Sequence, residues 1–177
     1  MPPRTEQEPD DPTSGTPVHD AAWFEDVVHV HGTAVFRYFV RRAGHGEAED
    51  LAADVLAVAW RRRADVPDGA ELPWLYRTAG FVLANHRRKG RPTPVDVLPE
   101  VIDDDDPATL AVADEQVRDV LARLSPRDRR ILLLGAWEGL SGDALAEVLG
   151  ISRGGADAAL SRARARLREA WDERVLT

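Results

Sequence analysis

Residues 141–171 read SGDALAEVLGISRGGADAALSRARARLREAW, and this stretch predicts two helices meeting at a tight turn. Ser141 can cap a short helix ending at Gly150, and Ser152 can cap a longer one running toward Trp171. Ala146, Gly150 and Ile151 supply a small residue, a glycine four positions on for the turn, and an apolar residue beyond it. Leu145, Leu149, Ala156 and Ala159 fill the positions that hold two helices near a right angle, as a helix-turn-helix requires. An ordinary helical hairpin with a glycine turn has the same apolar spacing, so that spacing alone leaves both readings open. The charge on the last helix favours DNA binding. With Ala156, Leu160, Ala163 and Leu167 turned inward, the opposite face carries Gly154, Asp157, Ala158, Ser161, Arg162 and Ala165. Arg164 and Arg166 at its flanks suit phosphate contact, while Ser161 and Arg162 suit base edges. The candidate DNA-contacting residues of this unit are therefore Arg153, Asp157, Ser161, Arg162, Arg164 and Arg166.

The same punctuation extends upstream. Val117, Val120, Leu121 and Leu124 predict a short amphipathic helix, and Ser125-Pro126 then supplies a cap and a proline at the first helical position. The next helix runs through Ile131 to Leu134 and stops near Gly139. Nearer the N-terminus, Leu51, Val55, Val58 and Ala59 recur at helical spacing behind the acidic start Glu47, Glu49 and Asp50. Phe24, Val27, Val28, His31, Val35 and Phe39 give a noisier stripe, and Leu75, Ala79, Val82, Leu83 and His86 a third. No segment alternates as a strand does, so the predicted class is all-α.

Charge divides the 177 residues into four parts. Residues 1–20 carry one Arg against five acids, and residues 92–115 carry eight acids and no base. Residues 21–91 and 116–177 each carry eleven bases against nine acids, a net +2 apiece within a total of -8. The two acidic parts are rich in proline, including Pro92, Pro94, Pro99 and Pro107, and read as a disordered tail and a flexible linker with the unbroken run Asp103, Asp104, Asp105 and Asp106. The two basic parts read as small helical domains. With no cysteine there is no disulfide framework or cysteine-ligated metal, and no segment has the apolar length of a membrane span or a signal core. The expectation is a cytoplasmic protein without membrane attachment.

The third helix of the first domain has a second face. Arg77, Phe81, Ala84 and Arg88 recur opposite its apolar stripe, and Arg87, Lys89 and Arg91 extend the charge beyond. A ring between arginines on a solvent-directed face is suited to stacking unpaired bases; the alternative is that Phe81 packs against a neighbouring helix. Enzyme constellations are missing: His29 and His31 point to different helix faces, there is no His-Glu-x-x-His or glycine-rich phosphate loop, and the acid run lacks calcium-loop spacing. No cofactor, metal, catalytic residue or small-molecule substrate is expected.

Three stretches in this order resemble the extracytoplasmic-function sigma factors of bacterial RNA polymerase. EAEDLAADVL is similar to the helix that docks on the polymerase clamp, and the resemblance implies polymerase contacts at Asp50, Leu51, Asp54 and Val55. WLYRTAGFVLANHRRKGR is similar to the helix that meets the melted upstream promoter element, which implies DNA contacts at Arg77, Phe81, Asn85, Arg88 and Lys89. LARLSPRDRRILLLGAWEGLSGDALAEVLGISRGGADAALSRARARLREAW resembles the whole second domain, which binds the distal element. The sequence departs from the family at Ala53, where a glutamine is usual, at Gly80-Phe81, where arginine-asparagine is usual, and at Asp157 and Ala158, where basic or hydroxyl side chains are.

The resemblance implies a non-enzymatic initiation factor that binds core RNA polymerase and promoter DNA and assists opening; whether an anti-sigma factor is a further partner the sequence leaves open. It also implies that the acidic connection lies near the polymerase's active cleft and RNA exit path. The rival reading is a stand-alone helix-turn-helix regulator that binds duplex DNA without polymerase; it needs neither the basic third helix nor a long acidic linker.

Overall fold

The computed structural model describes residues 19–88, 110–111 and 114–175. Most of the expected tail, Lys89 and the linker run Asp103 to Asp106 lie outside the described residues. Among the described residues seven α-helices follow one another: α1 Ala21–Ala43, α2 His45–Arg61, α3 Glu71–Arg87, α4 Glu115–Arg123, α5 Pro126–Trp137, α6 Gly142–Leu149 and α7 Arg153–Val175. There is no strand among the described residues, as the helical periods predicted. None of the described helices is long and apolar enough to cross a membrane.

α1, α2 and α3 pack together through the predicted stripes. Val35 and Phe39 of α1, Leu51, Val55, Val58 and Ala59 of α2, and Leu75, Ala79, Val82 and Leu83 of α3 are all buried. The noisier positions stay at the surface: Val28 is exposed and His31 half-buried, while His86 of α3 reaches out to Glu47 at 3.0 Å. Asp20 caps α1 by accepting from the Trp23 N–H at 3.0 Å. Just before it, the His19 ring stacks on Trp23 and bridges the Arg63 carbonyl at 2.5 Å and the Asp68 carboxylate at 2.7 Å, which ties the start of α1 to the segment before α3. The hydrogen bonds to Arg63 and Asp68 raise the pKa of His19. A group raised on folding contributes fully below the ordinary imidazole value, and its contribution is lost as pH rises through the folded one. An NMR titration is therefore expected to place His19 above the ordinary imidazole value, and the tie to loosen with increasing pH.

In the second half, Asp114 caps α4 and Ser125 caps α5, accepting from the Asp128 N–H at 3.1 Å with Pro126 at the first helical position. Ser141 occupies the cap position of α6 without a side-chain hydrogen bond. α6 ends in a left-handed Gly150, φ 65°, where the Ile151 N–H bonds the Ala146 carbonyl at 3.1 Å and the Gly150 N–H bonds that of Glu147 at 3.3 Å. These two bonds form a Schellman closure, which explains the Ala-x-x-x-Gly-Ile spacing. Gly150→Ala is expected to cost about 1–2 kcal/mol, because a Cβ is disfavoured at that φ; urea unfolding checks it, and an unchanged midpoint would mean that the turn relaxes freely. Ser152 then caps α7 by accepting from the Gly155 N–H at 3.2 Å.

The two helical halves are not separated in space. α3 packs on α6, and the buried apolar residues of both halves form one continuous cluster. Leu110 is buried, and the Ala111 N–H bonds the Arg41 carbonyl at 2.8 Å, tying the approach to α4 onto the end of α1.

Candidate nucleic-acid interface

α7 is divided lengthwise by burial. Ala156, Ala159, Leu160 and Ala163 are buried against the rest of the second half, whereas Gly154, Asp157, Ala158, Ser161, Arg162 and Arg164 are exposed. Leu145 of α6 is fully buried, so the helix-turn-helix is built on the alanine and leucine positions read from the sequence. The arginines do not all stand alike. Arg166 is held by Asp128 of α5, its guanidinium 2.7 Å from each carboxylate oxygen. Asp128 also accepts from the Ser125 hydroxyl at 2.6 Å. Arg166 thus fastens α7 to the start of α5, so a phosphate would have to share it with Asp128. Arg153 donates to Asp143 at 2.9 Å and lies 4.0 Å from Asp157, so the first turn of α7 carries little net charge. Arg162 and Arg164 are exposed and have no ion-pair partner among the described residues.

On α3 the expected face exists, but it does not look into solvent. Phe81 is only 3% exposed and Ala84 only 5%. Arg77 lies beside the Gly150 turn, its guanidinium 3.6 Å from where a Cβ would stand there. Asn85 is half-buried and Arg88 exposed. Of the two readings of Phe81 the solvent-directed one is corrected and the packed one fits: helical period separates the two faces of α3, but it does not reveal what lies over either.

α2 requires a similar correction. Leu51 and Val55 are buried in the core, 4% and 0% exposed, so they cannot serve directly as a polymerase-docking surface. Their neighbours Asp50 and Asp54 are exposed. The apolar pair supports α2, and its acidic side is what it presents outward.

The sequence reading missed a buried ionic cluster. Glu138, at the end of α5, has a fully buried side chain that accepts from Arg42 at 2.7 Å and also from Arg41. The Tyr76 hydroxyl of α3 hydrogen-bonds the same carboxylate. Burial, then the Glu138 charge, pushes that hydroxyl up to about 12. Both guanidinium groups lie near the Trp137 ring, and Arg42 also sits 3.8 Å over Tyr38. No local pattern signals this cluster, since its members lie on α1, α3 and α5.

Residues 114–167 match the family model described as Sigma-70, region 4. The chain is 34% identical over 154 residues to an RNA polymerase sigma-E factor of Streptomyces coelicolor, a match spanning 82% of this chain and 84% of the relative. It belongs to the extracytoplasmic-function sigma factors. The ECF RNA polymerase sigma factor SigE of Mycolicibacterium smegmatis is similarly related, 29% identical over 180 residues that span 92% of this chain and 69% of that one. Among solved structures, the sigma factor RpoE in a complex with the anti-sigma factor NepR from Bartonella quintana has the same fold, with a TM-score of 0.56 at 24% identity over 88% of this chain and 98% of that one. Membership makes this sigma factor a transcription initiation factor that works with core RNA polymerase on promoter DNA, and it sets aside the stand-alone regulator. The family is one of non-enzymatic factors.

Proposed function

We propose that this sigma factor divides its tasks among three helices. The acidic side of α2, with Asp50 and Asp54, docks on polymerase. The Arg77–Phe81–Asn85–Arg88 face of α3, continued by Lys89, holds the unpaired upstream strand. α7 reads the distal promoter element with Ser161 and Arg162 while Arg164 neutralises phosphate. The observation that carries the reading of α7 is its lengthwise division, with Arg162 and Arg164 exposed on the side away from the core and without an ion-pair partner among the described residues. A guanidinium there can make a bidentate pair with a guanine edge. An anti-sigma factor is a partner of the same reading, supported by the complex in which the Bartonella fold relative was solved. The acidic linker, with Asp103 to Asp106, is proposed as a charged thread near the RNA path of polymerase.

Transcription in vitro with core polymerase, from a promoter in the chain's own upstream region, tests this. Arg162→Ala is expected to reduce discrimination against base changes in the distal element by about 1–3 kcal/mol. Arg164→Ala is expected to weaken all promoters alike. Arg166→Ala is expected to act on folding instead, lowering stability by about 1 kcal/mol after allowance for solvent screening of its half-exposed guanidinium. Equal loss of discrimination from Arg162→Ala and Arg164→Ala would show that neither reads a base.

A further inference from the structure

Between Arg153 and Arg164, α7 carries a single acid, Asp157, whose side chain is more than half exposed. At about 3.6 residues per turn, Asp157 and Arg164 share one flank of the outward face and Arg162 stands on the other. Gly154, Ala158 and Ser161 lie between the flanks, and all three are exposed. None of these has a side chain longer than a hydroxymethyl group, so the backbone of α7 can come close to whatever it faces. That close approach brings the short side chain of Asp157 within reach of the floor of a groove.

The Asp157 carboxylate is also free to accept. Arg153 donates to Asp143 at 2.9 Å and stands 4.0 Å from Asp157, beyond hydrogen-bonding distance. Asp157 makes no side-chain hydrogen bond among the described residues. It is the fifth residue of α7, and the N-terminal residues of the second helix of a helix-turn-helix are those that contact base edges. A carboxylate is repelled by phosphate, so on a helix lying in the groove it faces a base or water. Arg153 and Arg164, toward the outer side of the same flank, offset the repulsion from nearby phosphates.

The chemistry of the base edges then narrows the choice. In the major groove guanine presents only acceptors, thymine an acceptor and a methyl group, and adenine a donor beside an acceptor. Cytosine alone presents a donor, its N4 amino group, with no acceptor next to it. An ionised carboxylate only accepts, so it pairs with cytosine and meets a lone pair or a methyl group on every other base.

We propose that Asp157 reads a cytosine in the distal promoter element, accepting a hydrogen bond from its N4 amino group, and so fixes the base preference of this sigma factor at one position. This rests on the reading of α7 as the helix that enters the distal element. Asp157 adds to the roles of Ser161, Arg162 and Arg164 a contact that rejects bases as well as selecting one.

Holoenzyme assembled from core polymerase and the full chain, selecting from promoters with a randomised distal element, tests this. The wild type is expected to prefer cytosine, on one strand, at one position by about 5- to 150-fold. Asp157→Asn is expected to move that preference to adenine, because a carboxamide pairs with N6 and N7 of adenine together. Asp157→Ala is expected to lose the preference there and to keep it elsewhere. Replacing the selected cytosine by pyrimidin-2-one, which lacks the amino group, is expected to weaken binding by the wild type and not by Asp157→Ala. The urea midpoints of both variants should equal that of the wild type, since the side chain is exposed.

Variants that select the same bases as the wild type overturn the proposal and leave Asp157 a neighbour of Arg153 alone, as does a wild type that selects no cytosine in the distal element. If Ser161→Ala and Arg162→Ala shift other positions while the Asp157 variants shift none, α7 still reads the element and only the assignment of Asp157 falls. If none of the four variants changes the selected bases, the reading of α7 itself fails and the proposal falls with it.

Discussion

Leu51→Ala is expected to lower the unfolding free energy by about 2–5 kcal/mol, the range for truncating a buried leucine in a packed core. Leu51 is 4% exposed among Val55, Val58 and Ala59 of the same stripe, with α1 and α3 packed against it. Because whole-domain stability is only about 5–15 kcal/mol, one such change is expected to shift thermal unfolding by many degrees. Asp54→Ala is the matched control. Its carboxylate is exposed, so unfolding should stay within about 0.5 kcal/mol of wild type while affinity for core polymerase falls. Thermal denaturation and a polymerase pull-down, run on both variants, separate the two faces of α2. A Leu51→Ala chain that melts like wild type but no longer binds polymerase would invert them.

The contrast between those neighbours shows what the sequence could reveal. A period of 3.6 places Leu51, Val55, Val58 and Ala59 on one side of α2, and all four are buried. The same rule placed Ala156, Leu160 and Ala163 on the inner side of α7. Caps were also legible, because Ser125-Pro126 and Gly150-Ile151 act through bonds to residues a few positions away. Resemblance to a helix that docks on polymerase assigned one role to four residues of α2, but two of them face the core. Contacts between distant segments were illegible. Arg166 looks like any exposed arginine until Asp128, on another helix, comes within 2.7 Å. Glu138 looks like a solvated acid before a glycine, and only the meeting of α1, α3 and α5 makes it a buried one. Phe81 had two readings, a platform for bases or a packed ring, because the chain's period defines its face but not what lies over it; the ring is buried.

Sequence-specific promoter binding is expected to require core polymerase, and the margin should be large. The folded halves carry only +2 each within a chain of net -8. On α7, Arg166 is engaged by Asp128, and Arg153 is balanced by Asp143 and Asp157, which leaves Arg162 and Arg164 as the cations of the proposed DNA face without an ion-pair partner among the described residues. Two or three phosphate contacts give a salt slope of only about -2 to -3 and an affinity near the non-specific range of about 10⁻⁴ to 10⁻⁶ M. On the α3 face Phe81 and Ala84 are buried, so the ring offers no surface to a base. Core polymerase is expected to add its own DNA contacts and to hold the two halves at the separate promoter elements proposed for them. Specific complexes are typically about 10³ or more tighter than non-specific ones, so holoenzyme should exceed the isolated chain by at least that factor on the same duplex. Fluorescence anisotropy with and without core enzyme, at physiological salt, measures the ratio. Nanomolar, sequence-specific binding by the isolated chain would overturn this account, because neither the charge left on α7 nor a covered Phe81 could produce it.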